Sequence, residues 1–88
     1  MNVRYSKRFL KQLAQAPNDL RKRIEVFAFE TLPRANALGE LGGIEKMQGY
    51  KTYYKARFGS YRVGIKYENE VVTLMVTMDR KEIYNYFP

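Results

Sequence analysis

The sequence predicts an α+β domain: a small antiparallel sheet, built from a short N-terminal strand and a three-stranded meander, with two N-terminal helices packed on one face. Three observations carry this. Apolar residues recur at helical spacing over residues 7–31. From Tyr50 the pattern alternates with a period of two. Two turn signals, Gly59-Ser60 and Glu68-Asn69, divide that alternating stretch into three strands.

Taken in order, residues 2–5 read as the short first strand. Ser6 is a suitable N-cap for a helix over residues 7–15, with Phe9, Leu10 and Leu13 as its apolar stripe. Pro17 interrupts that pattern. A second helix over residues 18–31 carries Leu20, Ile24, Phe27 and Ala28 at helical spacing, and Leu32-Pro33 closes it. Lys7, Lys11, Arg21, Lys22 and Arg23 lie off these stripes and read as solvated helix faces. The glycine-rich residues 33–49 read as a connection with one short strand.

Glycine first in a two-residue turn sets the register of the first hairpin. Phe58 then pairs with Tyr61, Arg57 with Arg62, Ala56 with Val63, Lys55 with Gly64 and Tyr54 with Ile65. A second turn at Glu68-Asn69 pairs Tyr67 with Glu70, Ile65 with Val72, Val63 with Leu74 and Arg62 with Met75. Apolar residues then face apolar residues on the side that the helices cover. The opposite, open face carries Lys51, Tyr53, Lys55, Arg57, Arg62 and Lys66.

The 88 residues suit one domain spanning residues 1–88. Cysteine and histidine are both absent, which removes disulfides, thiolate nucleophiles and imidazole general bases from consideration. Sixteen Lys and Arg against nine Asp and Glu leave a net charge of +7. The excess is concentrated: Lys46 to Tyr67 holds six basic residues, five tyrosines and no acidic residue. Cations interleaved with rings suit a polyanion with stackable bases. No apolar run approaches the roughly 18 residues of a membrane span, and residues 1–10 lack an export-signal core. A cytoplasmic location without a membrane partner is expected.

Arg57 opposite Arg62 is a costly arrangement for a fold alone, destabilising by up to about 1 kcal/mol. A phosphate held between the two guanidiniums reverses the sign. The competing reading is that both side chains splay into water. Gly64, opposite Lys55, leaves room for a backbone or a base. Beyond the last strand, in Asp79-Arg80-Lys81-Glu82-Ile83-Tyr84, one helical turn would point Arg80 and Tyr84 the same way. Ile83, Phe87 and Tyr86 are the expected anchors of that segment.

These residues resemble a known family. The strand–helix–helix–meander layout is similar to that of the RelE/ParE toxin superfamily. Lys55-Ala56-Arg57-Phe58-Gly59-Ser60-Tyr61-Arg62 looks like its Lys-x-Arg-x-Gly-x-Tyr-Arg hairpin motif. Arg80-Lys81-Glu82-Ile83-Tyr84 is similar to the closing motif of its RelE-type mRNA-interferase branch. The resemblance implies the toxin of a type II toxin–antitoxin pair, a ribosome-dependent endoribonuclease that cuts mRNA in the A site. The 2′-hydroxyl attacks the adjacent phosphate, without metal or other cofactor. It further implies catalytic roles for Lys55, Arg62, Arg80 and Tyr84: charge stabilisation or deprotonation by Lys55, phosphate binding by Arg62, leaving-group assistance by Arg80, and substrate orientation or base action by Tyr84. RNA binding would fall to Lys51, Tyr53, Arg57 and Lys66. Where many members carry a second lysine two positions before the motif lysine, this chain has Tyr53. Expected partners are mRNA, the ribosome and an acidic antitoxin whose helical segment wraps the toxin, in a hetero-oligomeric complex able to bind operator DNA. The alternatives are a ParE-type inhibitor of DNA gyrase and an inactive antitoxin-binding module.

Overall fold

A computed structural model describes Met1–Pro88. Its five strands form one mixed sheet in the order β1-β5-β4-β3-β2. They are β1 (Asn2–Tyr5), β2 (Ile44–Lys46), β3 (Tyr53–Phe58), β4 (Tyr61–Glu68) and β5 (Val71–Asp79). The α+β class and the helices on one face stand as expected. The sheet departs from the expected all-antiparallel form because β1 runs parallel to β5, while the short strand expected within residues 33–49 is β2, antiparallel to β3.

Helix α1 (Lys7–Ala14) starts at Ser6, whose hydroxyl accepts the Phe9 N–H at 2.9 Å. Phe9 and Leu13 are buried, whereas Leu10 is 44% exposed and leaves the expected stripe. Helix α2 (Asn18–Val26) does not stop before Pro33. It widens into a π-helical stretch, Phe27–Thr31, and ends with the turn Leu32–Arg34. The Leu32 N–H reaches back five residues to the Phe27 carbonyl. The wide turn directly precedes Pro33, which has no N–H to donate and whose ring needs room in the turn before it. Leu32 is thereby carried into the core, with no exposure.

The main core lies between the helices and one sheet face, around Phe9, Ile24, Ala28, Val63, Ile65 and Leu74. The Tyr5 phenol donates to the Ala28 carbonyl at 2.6 Å, and burial raises its pKa above the usual tyrosine value. No helix is long and apolar enough to cross a membrane.

The β3–β4 register matches the expected pairs throughout, with Gly59 at φ +56° in the turn. The β4–β5 register does not. The turn is Asn69-Glu70, both at positive φ (53° and 64°), so Glu68 pairs with Val71, Tyr67 with Val72 and Ile65 with Leu74. This is the geometry of a tight hairpin with two left-handed central residues. A bulge follows: the partner of Gly64 is Val76, which leaves Met75 as the extra residue, and Val63 and Arg62 pair with Thr77 and Met78. Helix α1 and its cap satisfy the disturbed backbone. Ser6 Oγ donates to the Met75 carbonyl at 2.6 Å, and Gln12 Oε1 accepts the Thr77 N–H at 2.9 Å.

The bulge exchanges the faces of β5. Val72 and Leu74 point into the main core, but Val76 and Met78 point away from the helices. There they form a second cluster with Met47, Ile83 and Phe87. The face expected to be open is therefore partly covered by the segment after β5.

Candidate active site

Cross-strand neighbours in a sheet share a face, so the β3–β4 register places Lys55, Arg57 and Arg62 together on the side away from the helices. The segment after β5 then turns back over this side. The Arg80 N–H bonds the Ser60 carbonyl at 2.8 Å, which ties the segment to the β3–β4 turn. The Lys81 N–H is capped by Asp79 Oδ1 at 2.8 Å. A 3₁₀ turn, Ile83–Asn85, follows, with Ile83 buried beneath it.

The outcome is a cavity of about 460 Å³ lined by Gly43, Glu45, Lys55, Arg57, Arg62, Arg80, Lys81 and Tyr84. Its size falls within the range of small-ligand sites, about 300–1,000 Å³. Five cations and one carboxylate face it, an arrangement that attracts an anion rather than a neutral ligand.

Arg57, Arg62 and Lys55 each have a defined side-chain partner. Arg57 Nη2 lies 3.2 Å from Glu45 Oε1, with both side chains more than half exposed. Arg62 Nη1 donates to the carbonyls of Gly59 at 2.7 Å and Tyr61 at 2.8 Å. That uses both hydrogens of one guanidinium nitrogen and leaves three donors for a ligand. Lys55 Nζ donates to the Tyr84 hydroxyl and stands 4.8 Å from the centre of the Tyr84 ring. With its oxygen occupied as an acceptor, the phenol retains its own O–H as a donor. Tyr84 is 61% exposed, the position of a ring held above the sheet rather than packed within it.

Arg57, Arg62, Lys55, Arg80 and Tyr84 thus meet in one concavity. Three other expected residues do not join them. Lys51 is exposed in the bend before β3, and Lys66 pairs with Glu68 at 3.4 Å. The Tyr53 ring sits edge-on to Phe87 with centroids 5.3 Å apart, as part of the second cluster. Tyr86, an expected anchor, is 55% exposed beside Arg8, whereas Ile83 and Phe87 are buried. The space above Gly64 is not left for a base: a Cβ there would meet the Phe87 ring at 2.8 Å.

Glu45 and Lys81 are the site residues that the sequence reading passed over. Glu45 lies one residue before the basic run and meets Arg57 only because β2 pairs with β3, with Glu45 opposite Lys55. Charge alternation in Ile44-Glu45-Lys46 was the available signal.

No protein-family model matches the chain. The chain is 38% identical over 89 residues to a protein named Toxin RelE3 from Methanocaldococcus jannaschii, covering all of both chains. Among solved structures, it superposes on a chain of the RelB–RelE antitoxin–toxin complex from Methanococcus jannaschii. That match has a TM-score of 0.81 and 36% identity, over 97% of this chain and 99% of the other. A chain of the toxin–antitoxin complex RelBE2 from Mycobacterium tuberculosis shares the fold, with a TM-score of 0.68 and 22% identity over 90% and 96% of the two chains.

Proposed function

The chain belongs to the RelE toxin family, and from that premise we propose that it is the toxin of a type II toxin–antitoxin pair and acts as a ribosome-dependent mRNA endonuclease. One observation carries the reading: the Lys55 amine and the Tyr84 hydroxyl are hydrogen-bonded within a cavity whose other cations are Arg57, Arg62, Arg80 and Lys81.

The chemistry is attack of a 2′-hydroxyl on the adjacent phosphorus, with departure of the 5′-oxygen and formation of a cyclic phosphate. The phosphorane gains negative charge in the transition state, so fixed cations stabilise it more than the ground state. Arg62 is the best preorganised of them, because two backbone carbonyls hold one edge of its guanidinium. Its free edge binds the scissile phosphate. Arg57 holds the flanking backbone once Glu45 gives way, and Arg80 meets the charge on the leaving oxygen. Lys55 or Tyr84, having first given up its own proton to solvent, accepts the proton of the 2′-hydroxyl, or the pair orients the nucleotide that carries it; the departing 5′-oxygen takes a proton from water. Loss of one such donor typically costs about 2.7–4 kcal/mol of barrier.

The partner in this reading is an acidic antitoxin segment that covers the basic surface, favoured by the net charge of +7. The test is expression of the Arg62→Ala protein. We expect growth arrest to disappear while circular dichroism and the thermal midpoint match the parent. Undiminished arrest would remove Arg62 from its role.

A further inference from the structure

Gly64 and Phe87 fit together as a seat. Gly64 is buried in β4, at the bulge and directly across from Lys55. A Cβ built there would lie 2.8 Å from Phe87 Cγ and Cδ2 and 2.8 Å from Val76 Cγ2, closer than carbon atoms approach. The ring of Phe87, only 4% exposed, occupies the volume that any other residue at position 64 would fill.

Phe87 is the end of a strap with two fastenings. The first is the Arg80 N–H on the Ser60 carbonyl at 2.8 Å. The second is Ile83 and Phe87 in the cluster with Met47, Val76 and Met78, closed by the Phe87 N–H on the Ile83 carbonyl at 2.8 Å. Tyr84 lies within this strap and is 61% exposed, and its side chain meets Lys55 through the hydroxyl and the ring face. Contacts to one flexible lysine do not fix the backbone that carries the ring, and the buried residues one before and three after it do so.

We infer that Gly64 and Phe87 are positioning residues: the Phe87 ring seated on Gly64 holds the Tyr84 hydroxyl on the Lys55 amine. The consequence for mRNA cleavage rests on the proposed function; the positioning itself does not. The side chain missing from Gly64 thus serves an intramolecular contact beneath the site rather than access by a ligand. Neither residue faces the cavity.

The experiment labels the tyrosines with 3-fluorotyrosine and follows the Tyr84 line by fluorine NMR, identified by its absence from Tyr84→Phe. Lys55→Ala gives the line position of an uncoupled ring. In both Phe87→Ala and Gly64→Ala we expect the Tyr84 line to move to that position. Cleavage of translated mRNA falls roughly 100-fold, the scale of a small misplacement of a catalytic group. Phe87→Met, which refills the seat, restores the line and most of the activity. Adding Tyr84→Phe to Phe87→Ala costs little further, since both act through one contact. An unmoved Tyr84 line in either folded variant, or additive losses in the double variant, overturns the inference. Should Phe87→Ala fail to fold, Gly64→Ala and Phe87→Met decide. A parent protein that leaves mRNA intact while the line still moves refutes the proposed function and leaves the seat standing.

Discussion

Arg57 and Arg62 face each other across the β3–β4 hairpin, yet their guanidiniums do not share a partner. Arg57 is held by the Glu45 carboxylate at 3.2 Å, and Arg62 by the Gly59 and Tyr61 carbonyls at 2.7 and 2.8 Å. The like-charge pairing is tolerated because each cation is turned to an acceptor of its own. Two different consequences follow: Arg62 is preset for an anion, while Arg57 must exchange one carboxylate for another anion.

Glu45→Gln should therefore strengthen RNA binding. The pair is exposed, so its contribution to stability is small, about 0–1 kcal/mol. Arg57 then reaches its phosphate without first giving up the carboxylate, so affinity at fixed salt should rise by the worth of that exposed pair, at most about 1 kcal/mol. Fluorescence anisotropy with single-stranded RNA measures it. An unchanged affinity would mean that Arg57 does not reach the RNA.

The left-handed Glu70 makes a stability prediction independent of function. A non-glycine residue at φ 64° carries a steric cost that glycine lacks. Glu70→Gly should stabilise the protein by about 1 kcal/mol, less the extra entropy of an unfolded glycine. Urea denaturation is the measurement, and a clear loss of stability would contradict the turn geometry.

Gln12 reaches from α1 to the β5 bulge, where its Oε1 accepts the Thr77 N–H at 2.9 Å. Thr77 is only 1% exposed, so water cannot replace that acceptor. Gln12→Leu should cost about 1–3 kcal/mol, the penalty for a buried donor left unpaired. Hydrogen exchange should show the Thr77 amide losing protection ahead of its neighbours in β5; equal loss along the strand would argue against a local role.

Tyr5 gives a pH prediction. Its phenol pKa is raised in the folded state by burial. A raised folded pKa means the contribution to stability is complete below the unfolded value, about 10, and is lost as pH climbs from there through the folded value. Tyr5→Phe should lose about 1 kcal/mol near neutral pH, from the hydrogen bond to Ala28. Above pH 10 it should decline less steeply than the parent. Parallel stability curves from pH 8 to 11 would sink this account.

How far the sequence was legible depends on where backbone chemistry announces itself. Gly59 marks a turn, and every β3–β4 pair followed from it. Asn69-Glu70 lacks a glycine, so alternation alone places the second turn one residue early. Between the turn and the bulge this moves each partner by two positions, which preserves the face, so Ile65 meets Leu74 instead of Val72 and the core pattern is still satisfied; beyond the bulge Val63 and Arg62 move by three. Parity cannot detect such a shift. The bulge at Met75 was hidden as well, because Val76 and Met78 look like core residues on either face. It was this exchange of faces that covered part of the basic side and turned Tyr53 from a stacking ring into packing. Lys55, Arg57 and Arg62 were legible as neighbours because one hairpin holds them. Glu45 was not, because a separate strand delivers it.

Primer extension on a translated transcript reads ribosome-dependent cleavage of mRNA at the position of the cut. The parent protein should produce a new 5′ end within the codon in the A site, only when ribosomes are present, and Arg62→Ala should produce none. Intact transcripts under translation, whether or not DNA damage accompanies the growth arrest, would contradict the account.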